Sequence, residues 1–274
     1  MVVQHNMQAA NTNRMLGQNV KAVSKSTEKL SSGYQVNRAA DDAAGLSISE
    51  KMRNQIRGIN QAVKNSEDGV SLIQTAEGNM NEIHSILQRM GELATKAAND
   101  VNATEDRTAI QDEITQLGQE IDSISSKAAF NGQKLLNGSF SGKFLQTGAM
   151  EGEEMSISIN TMNAKALGLG GAASSLDMAS HGSATAAMTK ITNAIKTVSS
   201  KRSLLGAIQN RLDYTINNLE NYSENLTSAE SQIRDTDMAT EMTNYTKNNI
   251  LQQAAQSMLA QSNQSTQGVL SLLQ

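Results

Sequence analysis

Ile191, Ala194, Val198, Lys201, Leu205, Ile208, Leu212, Thr215, Leu219, Tyr222, Leu226, Ala229 and Ile233 form one ladder whose steps alternate between three and four residues for over 40 positions. This is a heptad seam, apolar at most rungs, with Lys201 and Thr215 as the polar exceptions. The chain contains no Pro, so nothing forces a break in so long a helix. At 1.5 Å per residue the helix runs about 60 Å. One helix cannot bury such a stripe against itself, so the residues upstream are expected to be its packing partners.

They show the same spacing. Ile48, Met52, Ile56, Ile59, Val63, Ser66, Val70, Ile73, Ala76, Met80, Ile83, Leu87, Met90, Ala94 and Ala97 predict about 50 residues of helix, with Gly58, Gly69, Gly78 and Gly91 as tolerated weak points. Asp41 or Asp42 is positioned to cap it. Ile110, Ile114, Leu117, Ile121 and Ile124 mark a shorter helix running back antiparallel, with Thr104 as the expected N-cap. Phe130-Asn131-Gly132 reads as a turn and Asn137-Gly138 as a hairpin-type turn. Ser156 to Ile159 alternates with period two, so short hairpins are expected at about 139–160. Glycine-rich residues 160–183 read as a loop, with Ser183 capping the helix that follows. The fold class is therefore mainly α: long antiparallel helices in a coiled-coil-like bundle with a small β-hairpin region. Only 3% of residues are aromatic, and thin helical seams filled by Ala, Ile, Leu and Met have little need of large rings.

Both chain ends are nearly free of charge. Arg14 is the only fully charged side chain before Lys21, and none follows Lys247. Yet Ala9, Leu16, Val20, Val23, Thr27 and Leu30 keep helical spacing at one end. Leu251, Ala254, Ala255, Met258 and Leu259 keep it at the other, and Val269, Leu272 and Leu273 repeat it. In a ring or filament of identical copies every charge meets its own copy, and like charges repel strongly where water is partly excluded. Neutral Gln, Asn and Ser avoid that repulsion. The ends are expected to lack a partner within one chain, and so to be disordered over 1–35 and 240–274 until copies assemble.

Little chemistry is on offer. There is no Cys, and His5, His84 and His181 are far apart, so no metal site is expected. Gly168-Leu169-Gly170-Gly171 matches a phosphate loop only in glycine content. No catalytic motif occurs, and no catalytic, cofactor-binding or metal residue is assigned. A net charge of −4 does not argue for a nucleic-acid partner, and no apolar run approaches a membrane span. The N-terminal stretch has neither a charged leader nor an apolar core of the kind a cleaved secretory signal needs. The residues point to a structural or interaction protein rather than an enzyme.

Four strings go further: RAADDAAGLSISEKMRNQIRG (38–58), SLIQTAEG (71–78), FNGQKLL (130–136) and RDTDMATEMTNYTKNNILQQAAQSMLAQSNQ (234–264). They resemble bacterial flagellin, in a short form lacking the outer variable domains. The resemblance implies an extracellular filament subunit of the bacterial flagellum, serving swimming motility. It implies residues 1–40 and 235–274 as the two halves of an inner-tube domain, and 41–234 as an outer-tube helical domain. It implies secretion through the flagellar type III export apparatus after handling by an export chaperone. Other copies of the chain and the filament cap and junction proteins follow as further partners. Leu16, Val20, Val23, Leu30, Leu251, Ala255, Met258, Leu259, Val269, Leu272 and Leu273 would serve assembly and chaperone binding. A flagellin-sensing Toll-like receptor of a vertebrate host would read Gln88, Arg89, Glu92, Leu93 and Glu113. The rivals are a hook–filament junction protein, similar to flagellin at its termini, and a secreted coiled-coil effector.

Overall fold

A computed structural model describes residues 6–271. Among them are five α-helices: α1 Met7–Ser32, α2 Ala43–Ala97, α3 Thr104–Lys127, α4 His181–Arg234 and α5 Met238–Ser271. Between α3 and α4 lie the strands β1 Ala129–Phe130, β2 Gln133–Lys134, β3 Lys143–Gln146 and β4 Glu154–Ile157, then a short 3-10 turn at Gly171–Ala173. The chain forms two compact units. One takes the residues up to Ile56 together with those from Glu224 onward; the other runs from Arg57 to Ser223. Both boundaries fall inside helices, so α2 and α4 each contribute to both units.

The second unit holds the apolar core. In α2 of this unit Leu93 is buried, and so is the ladder Ile59, Ala62, Ser66, Gly69, Ile73, Ala76, Met80, Ile83, Leu87, Met90, Ala94 and Ala97. This is a strict three–four alternation that passes through Ala62 and Gly69 rather than the expected Val63 and Val70. At Gly69 the reason is the β-hairpin. A Cβ on Gly69 would lie 2.5 Å from a Leu145 methyl, and one on Gly58 would lie 2.9 Å from the Ala149 Cβ. These two glycines are seats for β3 and the turn after it, while Gly78 and Gly91 face no such neighbour. The α4 rungs Ile191 to Leu212 are buried in the same core, with Lys201 half-buried among them. Asn60–Ser223, Glu77–Arg202 and Ala98–His181 contacts set α2 and α4 antiparallel. Helix α3 adds Ile110, Ile114 and Ile121.

Local signals resolve in detail. Asp42 caps α2, its carboxylate accepting the N–H groups of Ala44 and Gly45 at 3.0 and 2.9 Å. The α3 cap falls on Ala103, not Thr104, because Asp106 reaches back to accept the Ala103 N–H. The α4 cap is Ser180, not Ser183: the Ser180 hydroxyl accepts the Ser183 N–H, and the helix already includes His181. Of the two Asn-Gly pairs, Asn131-Gly132 closes the two-residue hairpin β1–β2, both residues taking positive φ as a type I′ turn requires. Asn137-Gly138 is a bend in which the Asn137 side chain accepts the Ser139 N–H. The second hairpin, β3–β4, lies inside the expected 139–160.

The irregular segment between β4 and α4 is core rather than surface loop. Met162, Ala164, Leu167, Leu169, Ala173, Leu176 and Met178 are buried. Helix α3 holds this segment by its backbone. The Asp122 carboxylate accepts the N–H groups of Ala164 and Ala172 at 2.8 and 3.2 Å. Gln111 donates to the Leu176 carbonyl and accepts the Met178 N–H, both at 2.9 Å. Gly118 admits the Ala172 backbone, which a Cβ would meet at 2.6 Å.

The first unit contains α1 and α5, and here one expectation is overturned. The two ends find a partner inside the chain: each other. They pair antiparallel, Lys29 approaching Glu241 at 3.9 Å and the Asn6 side chain donating to the Ser262 carbonyl at 3.3 Å. The covered α5 face is Glu241, Tyr245, Asn248, Gln252, Ala255, Leu259 and Ser262, a heptad stripe the sequence carries in mostly polar residues.

Candidate functional site

Two regions carry the expected functional residues. On α1, the expected stripe splits. Leu16, Val23 and Leu30 are half-buried, whereas Val20 is exposed. On α5, Ala255 and Leu259 lie on the stripe facing α1, and Leu251 and Met258 face outward, Met258 at 51% exposure. Met238, Met242 and Ile250 extend the exposed apolar surface of α5, as do Met7 and Met15 on α1. The seven-residue repeat explains the division: Leu16, Val23 and Leu30 are seven apart, the rungs between them are Asn19 and Ser26, and Val20, one position past Asn19, lies about 100° away from that rung around the helix. Leu272, Leu273 and the Val269 side chain lie outside the described residues.

The pairing is anchored at one end by a polar junction that spacing alone does not reveal. The chain turns from α1 into α2 and from α4 into α5 side by side. Gln35 N–H donates to the Arg234 carbonyl at 2.7 Å, and Thr236 N–H donates to the Gly33 carbonyl at 3.0 Å. Gly33 makes this possible by leaving α1 at φ 77°. Arg234 stacks over the Tyr34 ring at 4.7 Å and pairs with Glu50 at 2.8 Å. Arg38 pairs with Glu28, and Lys25 with Asp41. Arg38, Asp41, Glu50, Arg234 and Thr236 come from the strings 38–58 and 234–264, so the detectable signal for them was the match itself rather than any periodicity.

Asp41 gives the junction an acid dependence. The Lys25 ammonium, then the Arg38 N–H, then the Asn37 N–H hold its carboxyl down at about 2, from an ordinary 3.8. A carboxyl lowered in the folded state stabilises it above the ordinary value and ceases to do so as pH falls toward the folded value. Unfolding stability should therefore decline between about pH 4 and pH 2. In Asp41→Asn this decline should be shallower, measured by circular dichroism across that range. An identical acid profile for wild type and variant would exclude Asp41 as a contributor.

The second region is a groove of about 490 Å³ between α2 and α3, lined by Arg89, Glu92, Leu93, Ile110 and Glu113 among others. The Arg89 Nε and Nη2 donate to one Glu113 oxygen at 3.1 and 3.0 Å, and Nη1 to Glu92 at 3.2 Å. Glu113 first and Glu92 second raise the Arg89 pKa further. The pairs are half-exposed, so solvent screening leaves each of them weak. Leu93, expected beside Arg89, does line this groove, but as its floor: it is 4% exposed and part of the core. Gln88 is exposed, its amide beside His84. Among the described residues no helix is long and apolar enough to cross a membrane, and no His, Asp and Glu cluster could hold a metal.

Comparison with known proteins places this architecture. The family model of the bacterial flagellin N-terminal helical region matches residues 3–141, and that of the C-terminal helical region matches residues 188–273. Flagellin of Halalkalibacterium halodurans is 51% identical over 273 residues, spanning both chains completely. Flagellin of Bacillus subtilis strain 168 is 49% identical over 305 residues, again spanning both. The crystal structure of Bacillus cereus flagellin shares 31% identity at a TM-score of 0.51, covering 57% of this chain and 88% of that one. The chain therefore belongs to the bacterial flagellin family, in a short form: a structural subunit, not an enzyme, that self-assembles into the extracellular flagellar filament.

Proposed function

We propose that the filament built from this chain drives swimming, and that copies meet through the outward faces of α1 and α5. The observation that carries this reading is the exposed apolar surface of Met7, Met15, Val20, Leu251 and Met258, set in helical stretches almost free of charge: residues 7–20 hold Arg14 alone and residues 248–271 hold no charged side chain. An isolated soluble helix pair would gain nothing from it. Residues 1–40 and 235–274 form the two halves of the inner tube in this reading, with 41–234 outside them. Before assembly the same face needs covering, which is the role of a flagellar export chaperone ahead of type III export; cap and junction proteins meet it at the filament ends. Expression in a flagellin-deleted swimming bacterium tests this. Swimming should be restored, and restored filaments without swimming would refute the motility part.

The α2–α3 groove supports a second role, as a ligand of a vertebrate flagellin-sensing Toll-like receptor. Arg89 offers a planar donor fork of the kind enriched at interface hot spots, flanked by exposed Gln88, Glu92 and Glu113. Leu93 contributes from beneath, by holding α2 against the core. Gly91, two residues along α2 from Arg89, has room for a side chain: a Cβ there would meet only an Ile191 methyl, at 3.8 Å. Reporter activation should fall in Arg89→Ala and Glu113→Ala and rise in Gly91→Arg, which adds a second cation. Wild-type signalling by a folded Arg89→Ala would remove the groove from the account.

A further inference from the structure

The chain has no Cys and 14 Met, so thioethers are its only sulfur. Their placement is uneven. Met80, Met90, Met162 and Met178 are fully or almost fully buried in the second unit. Met7, Met15, Met238, Met242 and Met258 are between 48 and 74% exposed, all on α1 or α5. Outside those helices the exposed methionine among the described residues is Met150, in the turn between β3 and β4.

We infer that these five α1 and α5 methionines are an oxidation site, at which a peroxide converts the free subunit into an assembly-incompetent form. The inference rests on the reading that this face joins copies. A sulfur lone pair attacks one peroxide oxygen and the O–O bond breaks. The departing hydroxide takes the proton of the new S–OH group and becomes water, leaving the S–O group. The thioether is oxidised by two electrons to a sulfoxide as the peroxide is reduced by two. Exposure sets which sulfurs react first, so the second unit's core is spared. The product is polar and no longer fills an apolar contact, and a helical polymer repeats that defect in every subunit. In the assembled filament the same sulfurs are covered, so the free subunit is the vulnerable form. A methionine face tolerates imprecise packing between copies, at the expense of this sensitivity.

The test treats full-length monomer with hydrogen peroxide, maps sulfoxide by peptide mass spectrometry, and measures sedimentable filament after seeding. The five sites should carry about tenfold more sulfoxide than Met80, Met90, Met162 and Met178, with filament yield falling about tenfold. Methionine sulfoxide reductases of both stereospecificities should restore assembly to the treated wild type. Replacing all five by Leu should make yield insensitive to peroxide, whereas Met150→Leu alone should not. Treated wild type that assembles like untreated protein, or that both reductases reduce without recovery, overturns the inference. Unoxidised Met258→Glu separates the two ideas. If it is blocked while the sulfoxide form assembles, only the oxidation inference fails. If Met258→Glu itself assembles normally, the surface reading fails.

Discussion

A glutamate in place of Met258 is expected to leave the subunit folded and unable to polymerise. Met258 points away from α1, and Glu matches Met in helix propensity, so the α1–α5 pair should survive. In the filament the new carboxylate would stand near its own copies where water is partly excluded. At an effective dielectric of about 20, two charges 4 Å apart repel by about 4 kcal/mol. Each 1.4 kcal/mol is about tenfold in an equilibrium constant, so one such contact lowers assembly by roughly three orders of magnitude. The control is Asn193→Glu on an exposed position of α4, which should assemble at close to the wild-type yield. Far-ultraviolet circular dichroism with sedimentation after seeding reads both outcomes.

The largest effect on stability is expected at Asp122. Its carboxylate accepts two backbone N–H groups from the buried segment between β4 and α4. Hydrogen bonds to a charged group contribute about 1.5–3 kcal/mol each, and removing the acceptor leaves two N–H groups without it. Asp122→Ala should therefore destabilise the second unit by about 3 kcal/mol or more. In a domain of this size that corresponds to a fall of roughly 6–12 °C in melting temperature. Asp112→Ala, an exposed acid on the same helix, should change it little. Equal melting temperatures for the two variants would mean that the Asp122 contacts contribute nothing.

These cases show which parts of the fold a sequence exposes. The α4 ladder was legible because Ile191 to Leu212 bury one stripe over many turns, and period outlasts local exceptions such as Lys201. The helix caps were legible only to within a turn. The cap of α3 falls on Ala103 rather than Thr104 because Asp106 reaches back to the Ala103 N–H, and Ser180 takes the role expected of Ser183, since several polar side chains near a helix start can satisfy its free N–H groups. The glycines at 58 and 69 looked like weaknesses, since their use depends on a hairpin some 80 residues later. The segment after β4 looked like a loop because it has no period, yet its apolar residues fill the core one by one. The α1–α5 seam was hidden by its own composition: Glu241, Tyr245, Asn248, Gln252, Ala255, Leu259 and Ser262 form a heptad with little hydrophobic signal. The apolar signal lies instead in the outward residues Val20, Leu251 and Met258. They and the inward residues Leu16, Ala255 and Leu259 formed one group until the partner helix separated them.

The central claim is that copies join through the outward α1 and α5 faces. The most direct measurement is electron microscopy of purified chain, seeded and salted out, beside the same chain lacking residues 250–274. The account predicts long filaments of constant diameter from the full chain and none from the truncated one, with residues 57–223 still folded by circular dichroism. Regular filaments from the truncated chain would contradict it.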